Sequence, residues 1–256
     1  MKRFRIGFTT VTFRRKTAEQ ICEIAKRHEV DILEWGTDVH VPTPEEARRV
    51  RALCDEYGLT TASVGAYHRI GVENETPFSE TIEIAKILGA SRIRVWLGKK
   101  SSADFTPEER TALIAETRAL VDMAKAEGIE IALEFHRRTY NDGGAVSRAF
   151  LDEINDPALS TYWQPFFRET PERDFLFDDD RSNLLAVLPH VSAAHVFTWD
   201  EQANRFPFAR RRDEWRVFLD ILRDSPCQDL IMEFVPNDSH VQLGADIAVL
   251  RDLLGQ

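Results

Sequence analysis

The chain repeats one rhythm from end to end: a short apolar run, a polar loop, then a segment with the period of an amphipathic helix. Runs at 6–10, 31–35, 60–66, 93–97, 130–135, 160–164, 191–197 and 230–235 read as strands. Between them, Thr17 with Gln20 forms a capping pair for a helix over 17–28, Pro44 opens a helix over 44–57, and a third helix ends near Leu88. Gly58, Gly89 and Gly128 stand where a left-handed residue stops a helix, the last of them after a helix over 107–127. Pro189 suits the start of a strand better than a helix interior, and a closing helix covers 245–254. Eight regular units, with no G-x-G-x-x-G loop after the first strand, favour closure over an open doubly wound sheet.

At 256 residues the chain has the size of one such closed structure. No Ser/Gly-rich tract or low-complexity block divides it. The expectation is an α/β protein, a single (β/α)8 TIM barrel, with residues 1–256 as one domain. An apolar fraction of 43% with 30% charged residues supports a sizeable core.

A formal net charge of −10 repels phosphate backbones and anionic membranes, so nucleic acid and membrane are excluded as first partners. The first residues carry no apolar h-region and no later stretch approaches spanning length, which predicts a cytoplasmic protein. Cys22, Cys54 and Cys227 are scattered singly and read as reduced, buried thiols. Whether copies associate as a homo-oligomer is left open by the sequence.

Loops after the strands form the working face of such a barrel, which directs attention to polar residues at strand ends. Glu134 in IALEFH, Gln164 in TYWQP, His195 in SAAHVF and Glu233 in LIMEFV take those places on strands five to eight. A carboxylate within a buried apolar strand is costly unless it is paired or metal-bound. Two carboxylates, an imidazole and an amide oxygen make a mixed set suited to a divalent metal (Mn2+, Mg2+, Co2+ or Zn2+), with positions left for substrate oxygens. For either glutamate alone the competing reading is a salt bridge to a neighbouring strand, for example to Arg94 of RIRVW. Matching contexts on separate strands, with His195 between them, favour a shared site.

Trp35, His40, Tyr67, His68, Arg69, Trp96, His136, Arg137, Trp163 and Trp199 also fall near strand ends. Aromatic faces pack on sugar C–H surfaces while His and Arg bond hydroxyl or phosphate oxygens. On that basis His40, His68, Trp96, His136, Arg137 and Trp199 are the expected substrate contacts. His136 shares a strand face with Glu134 and ranks as substrate contact or proton relay ahead of a further metal ligand. His28 and His190 read as solvent-facing, His240 as a loop residue, and the basic run at 210–212 as the start of the helix carrying Trp215.

Taken in order, IGFTTVTF, DILEWGTDVHVP, SVGAYHRIG, IRVWLG, IALEFH, YWQP, AHVFTW and IMEFV resemble the strand-end segments of the xylose isomerase-like TIM-barrel family of sugar and sugar-phosphate isomerases and epimerases. The resemblance implies a metal bound by Glu, Asp, His and Glu on strands five to eight. Glu134, His195 and Glu233 match that set; Gln164 stands where many members have Asp, which removes one negative charge and implies looser metal binding. It further implies that Glu134 and Glu233 act as base and acid, moving the proton beside a carbonyl through an enediolate that the cation stabilises.

The expected function is therefore a metal-dependent isomerase or epimerase of a small sugar or sugar phosphate. A lyase (dehydratase) acting on a keto-inositol or keto sugar begins from the same enediolate. A non-catalytic sugar-binding barrel is motivated by Gln164. An endonuclease acting on abasic DNA is disfavoured by the acidic charge and by the lack of additional His and Asp ligands.

Overall fold

The computed structural model describes residues 3–166, 177–200, 202 and 204–256. Eight parallel strands close into a barrel in sequence order: β1 (Arg5–Thr9), β2 (Ile32–Gly36), β3 (Thr61–Ile70), β4 (Arg92–Leu97), β5 (Glu130–Glu134), β6 (Leu159–Trp163), β7 (Val191–Val196) and β8 (Asp229–Met232). The ring is completed by β8 against β1, with Ile6 opposite Leu230 and Phe8 opposite Met232. Eight helices lie between or after the strands: α1 (Ala18–Arg27), α2 (Pro44–Tyr57), α3 (Phe78–Leu88), α4 (Pro107–Ala126), α5 (Gly144–Ile154), α6 (Phe177–Val187), α7 (Arg212–Leu222) and α8 (His240–Leu254). No helix among the described residues is long and apolar enough to cross a membrane.

Local chemistry sets the helix ends. Thr17 and Thr106 form reciprocal capping boxes with Gln20 and Glu109, and Pro44 and Pro107 occupy first-turn positions where their missing N–H costs nothing. Gly58 and Gly89 close α2 and α3 in the left-handed region, at φ 66° and 69°. The helices α5 and α6 carry weaker signals in the sequence: α5 starts after Gly143 without a side-chain cap, and α6 opens on three successive aspartates.

The main apolar core fills the space between sheet and helices. Inside the barrel a thin apolar layer of Ile32, Ala62, Ala132, Tyr162, Ala193 and Ile231 separates two polar ends. At the amino end of the strands, Arg92 donates to Asp229 at 3.0 Å and to Glu130 at 3.3 Å. At the carboxyl end stand Glu34, Arg94, Glu134, His195 and Glu233, all buried.

Several strand limits differ from the sequence reading, for local reasons. The strand β6 stops at Trp163, one residue before Gln164, and β8 stops at Met232 because Phe234 turns the chain at φ 48°. Past Ala66 the chain stays extended: β3 runs to Ile70, with a register shift against β4 between Gly65 and Arg69. The last helix starts at His240, five residues ahead of the expected start, with Ser239 as its cap. His240 is thus helical, and His28 is half-buried against it at a ring separation of 6.0 Å instead of facing solvent. All three cysteines are buried free thiols.

Candidate active site and metal centre

Strand alternation aims Glu134, at the end of β5, and His195, on β7, into the barrel mouth. Glu233 joins them from just past β8, where its backbone N–H still donates to Val196 O at 3.0 Å. Ligand atoms of these three buried residues lie within 4.8 Å of one another. His195 Nδ1 is 3.6 Å from Glu233 Oε2 and 3.9 Å from Glu134 Oε1. Gln164 completes the group: its Oε1 lies 3.1 Å from His195 Nδ1, and its Nε2 donates toward Glu134 Oε1 at 3.5 Å.

Two further charged residues enclose this cluster from the β2–β4 side. Arg94 Nε donates to Glu34 Oε1 at 3.2 Å and its Nη1 donates to Glu134 Oε2, which also accepts from Trp96 Nε1. Glu34 accepts from Ser63 Oγ at 3.0 Å, and its Oε1 stands 3.5 Å from His195 Nε2. That imidazole nitrogen is buried without an aligned hydrogen bond. The salt bridge between Glu134 and Arg94 and the cluster with His195 therefore exist together on the two oxygens of one carboxylate.

The shared enclosure drives the carboxyls apart. Burial alone would raise Glu34 and Glu134, but the Arg94 guanidinium and the His195 ring hold both below the ordinary carboxylate range. Glu233 has His195 at 3.6 Å but no guanidinium paired with it among the described residues; burial pushes it up to about 7, against the opposing pull of His195. His195 is moved up, because Glu233, Glu34 and Glu134 together outweigh the burial that disfavours its charge. The His195 ring thus holds its proton more tightly than a free imidazole, and the carboxyl groups around it make this a place where a cation is electrostatically welcome. Two carboxylate oxygens, an imidazole nitrogen released from its proton and the Gln164 amide oxygen fit a divalent ion.

Arg94, Glu134, Gln164 and Glu233 form the floor of a cavity of about 190 Å³ walled by Tyr67, Trp96, His136, Trp199 and Phe234, while His195 is fully buried and does not line it. His136 stacks on Trp96 with ring centres 5.0 Å apart, while Arg69 packs 3.6 Å from the same indole centre. Tyr67 also lines a neighbouring cavity of about 370 Å³, where His68 and Arg69 lie. The structure therefore gathers Trp96, His136 and Trp199 at the cluster and puts His68 next door. It does not bring His40 there: its two ring nitrogens are bonded to Thr10 Oγ1 and Lys16 O, each at 3.0 Å. Arg137 lines neither cavity, and its carbonyl accepts from His136 Nδ1 at 2.6 Å.

Glu34 and Phe234 escaped the sequence reading. Phe234 carries no signal, being one more apolar residue after an apolar strand. Glu34 does carry one: ILEW repeats the apolar-apolar-Glu-aromatic pattern that singled out ALEF and IMEF.

Comparison with known proteins agrees with this architecture. A curated 3-dehydroshikimate dehydratase of Bacillus anthracis is 24% identical over 165 residues; the match spans 54% of this chain and 58% of that relative, under two thirds of its length. The crystal structure of a probable 3-DHS dehydratase from the same organism superposes with a TM-score of 0.77 at 17% identity, covering 98% of both chains. The IOLI protein, solved with a zinc atom bound, gives 0.74 at 13% identity with 98% of both chains covered. D-Psicose 3-epimerase, solved with D-fructose, gives 0.71 at 14% identity over 98% of this chain and all (100%) of the other. The family model described as "xylose isomerase-like TIM barrel" matches residues 22–246, and the chain belongs to that family.

Proposed function

We propose that this barrel is a metal-dependent isomerase or epimerase of a small sugar or sugar phosphate, with Glu134 and Glu233 exchanging the proton beside the carbonyl through an enediolate. The observation that carries this reading is the meeting of two carboxylates, gathered about one buried imidazole, on the floor of an aromatic-walled cavity. Their environments favour opposite protonation states, the arrangement a base and an acid require. Glu134, ionised, takes the proton; Glu233, protonated, supplies one. Trp96, Trp199 and Phe234 offer apolar faces to sugar C–H groups and keep water from the reacting carbon. His136 stands within the same wall to bond a hydroxyl.

Glu134, Gln164, His195 and Glu233 would hold a divalent ion. Bound there, the ion supplies Lewis-acid stabilisation of the developing oxyanion. The zinc atom in the IOLI protein and the sugar in D-psicose 3-epimerase support this reading by analogy of fold. A dehydratase is the second reading, favoured by the curated dehydratase relative. It shares the first proton abstraction and differs in expelling a hydroxyl group as water.

The test is incubation of a panel of ketoses and their phosphates in deuterated water with each candidate metal. Deuterium at the carbon beside the carbonyl, with product mass otherwise conserved, is the expected outcome. A product lighter by one water makes the protein a dehydratase. No exchange with any ketose and metal refutes the isomerase reading.

A further inference from the structure

Arg94 plays no part in the chemistry above, yet it lies at the centre of the charges. Its side chain is 3% exposed, and its donors are divided between Glu34 Oε1 and Glu134 Oε2. Gly65 keeps the space it needs: a Cβ there would stand 2.6 Å from Arg94 Nη2 and 3.1 Å from Glu34 Oε1. The guanidinium is thus boxed in by the neighbouring strand β3 and anchored to a second carboxylate. It has no solvent to retreat into when another cation arrives.

Glu134 is divided accordingly. Its Oε2 accepts from Arg94 and from Trp96 Nε1, both on β4, while Oε1 faces Gln164 and His195. Gln164 adds an oxygen but no charge. A divalent ion entering the cluster meets one carboxylate that already holds a counter-ion, one neutral amide, and a fixed positive charge that low dielectric screens poorly.

We infer that Arg94 is a resident counter-cation of this centre: it competes with the divalent ion for Glu134, lowers the metal affinity, and leaves Glu134 only Oε1 to offer. The inference rests on the reading of Glu134, His195 and Glu233 as a metal group. It assigns Arg94 a tuning role, acting through Glu134 and not on substrate.

Equilibrium dialysis of Mn2+ against the full chain, with circular dichroism to verify folding, tests this without any turnover assay. Arg94→Gln keeps hydrogen-bonding capacity and loses the charge; with the repulsion removed it should bind Mn2+ tighter than wild type by on the order of tenfold. Arg94→Lys keeps the charge and should stay within about threefold of wild type. Unchanged or weaker binding by Arg94→Gln overturns the inference. Wild type and Arg94→Gln both failing to bind Mn2+ overturns the metal reading beneath it, a distinguishable failure. Should Arg94→Gln not fold, the Mn2+-loaded wild-type crystal decides. Arg94 still bonded to Oε2, with Glu134 bound through Oε1 alone, upholds the role, whereas Glu134 released from Arg94 and chelating through both oxygens refutes it.

Discussion

Burial pushes the Glu233 carboxyl to about 7 from an ordinary 4.5, so the metal-free protein prefers it protonated. The stability gained by keeping that proton is fully present below the unfolded value and is lost as pH rises through about 7. His195, also raised, acts in the same direction. Denaturant titrations in the presence of a chelator should therefore show stability falling between mildly acid and alkaline pH, and Glu233→Gln should remove about 3 kcal/mol of that fall. A variant with the same pH slope as wild type would contradict the assignment. For chemistry, Glu134→Gln and Glu233→Gln should each cut isotope exchange by roughly 10²-fold to 10⁴-fold in single-turnover assays, without unfolding the barrel. Gln164→Asp, which adds a charged ligand, should tighten Mn2+ binding measured by calorimetry. The residues on which this rests were readable from a simple clash: a carboxylate or an imidazole in an apolar strand demands a partner. Whether that partner was Arg94 or a cation was not readable, because it depends on how the end of β5 divides its contacts between neighbouring β4 and the more distant β7 and β8. The structure answers that Glu134 faces both Arg94 and the cluster.

At the level of elements, the strand-and-helix rhythm was legible because apolar runs and glycine stops are local signals. Pro44, Gly58, Gly89 and the Thr17 cap all stand where the sequence puts them. Strand ends were less legible, and the site lies at strand ends. Gln164 and Glu233 fall just outside their strands, where β6 and β8 give way to loops, and the extension of β3 to Ile70 brings Tyr67 to the cavity wall. His40 illustrates the limit: sequence position near β2 marked it for substrate, whereas its bonds to Thr10 and Lys16 make it a brace for the first loop. Two substitutions test the element-level account. Thr106→Ala breaks a capping box and should cost α4 about 1 kcal/mol, measured by denaturant midpoint. Gly65→Ala places a methyl group against Arg94 and Glu34 and should cost roughly 1–3 kcal/mol by overpacking, with little change in helix content.

The whole barrel separates structural from chemical charge along its axis. The amino-end group of Arg92, Glu130 and Asp229 is tied in ion pairs beside a cavity of about 560 Å³, and the carboxyl-end group, where no described guanidinium pairs with Glu233 or His195, opens onto one of about 190 Å³. The apolar layer between them is crossed by Tyr162, whose hydroxyl accepts from Arg92 at 3.5 Å. The same arrangement makes metal binding a global stabiliser: Mn2+ at a hundred times its dissociation constant should add about 2.7 kcal/mol and raise the melting temperature by several degrees. The same addition should have no effect on His195→Ala. The central claim, that Glu134, Gln164, His195 and Glu233 form one cation site at the mouth of the barrel, is tested most directly by anomalous diffraction from a crystal soaked in Mn2+. One strong peak among Glu134 Oε1, His195 Nδ1 and Glu233 Oε2 is the expected result; a cluster without a peak at saturating Mn2+, or a peak only elsewhere, would contradict it.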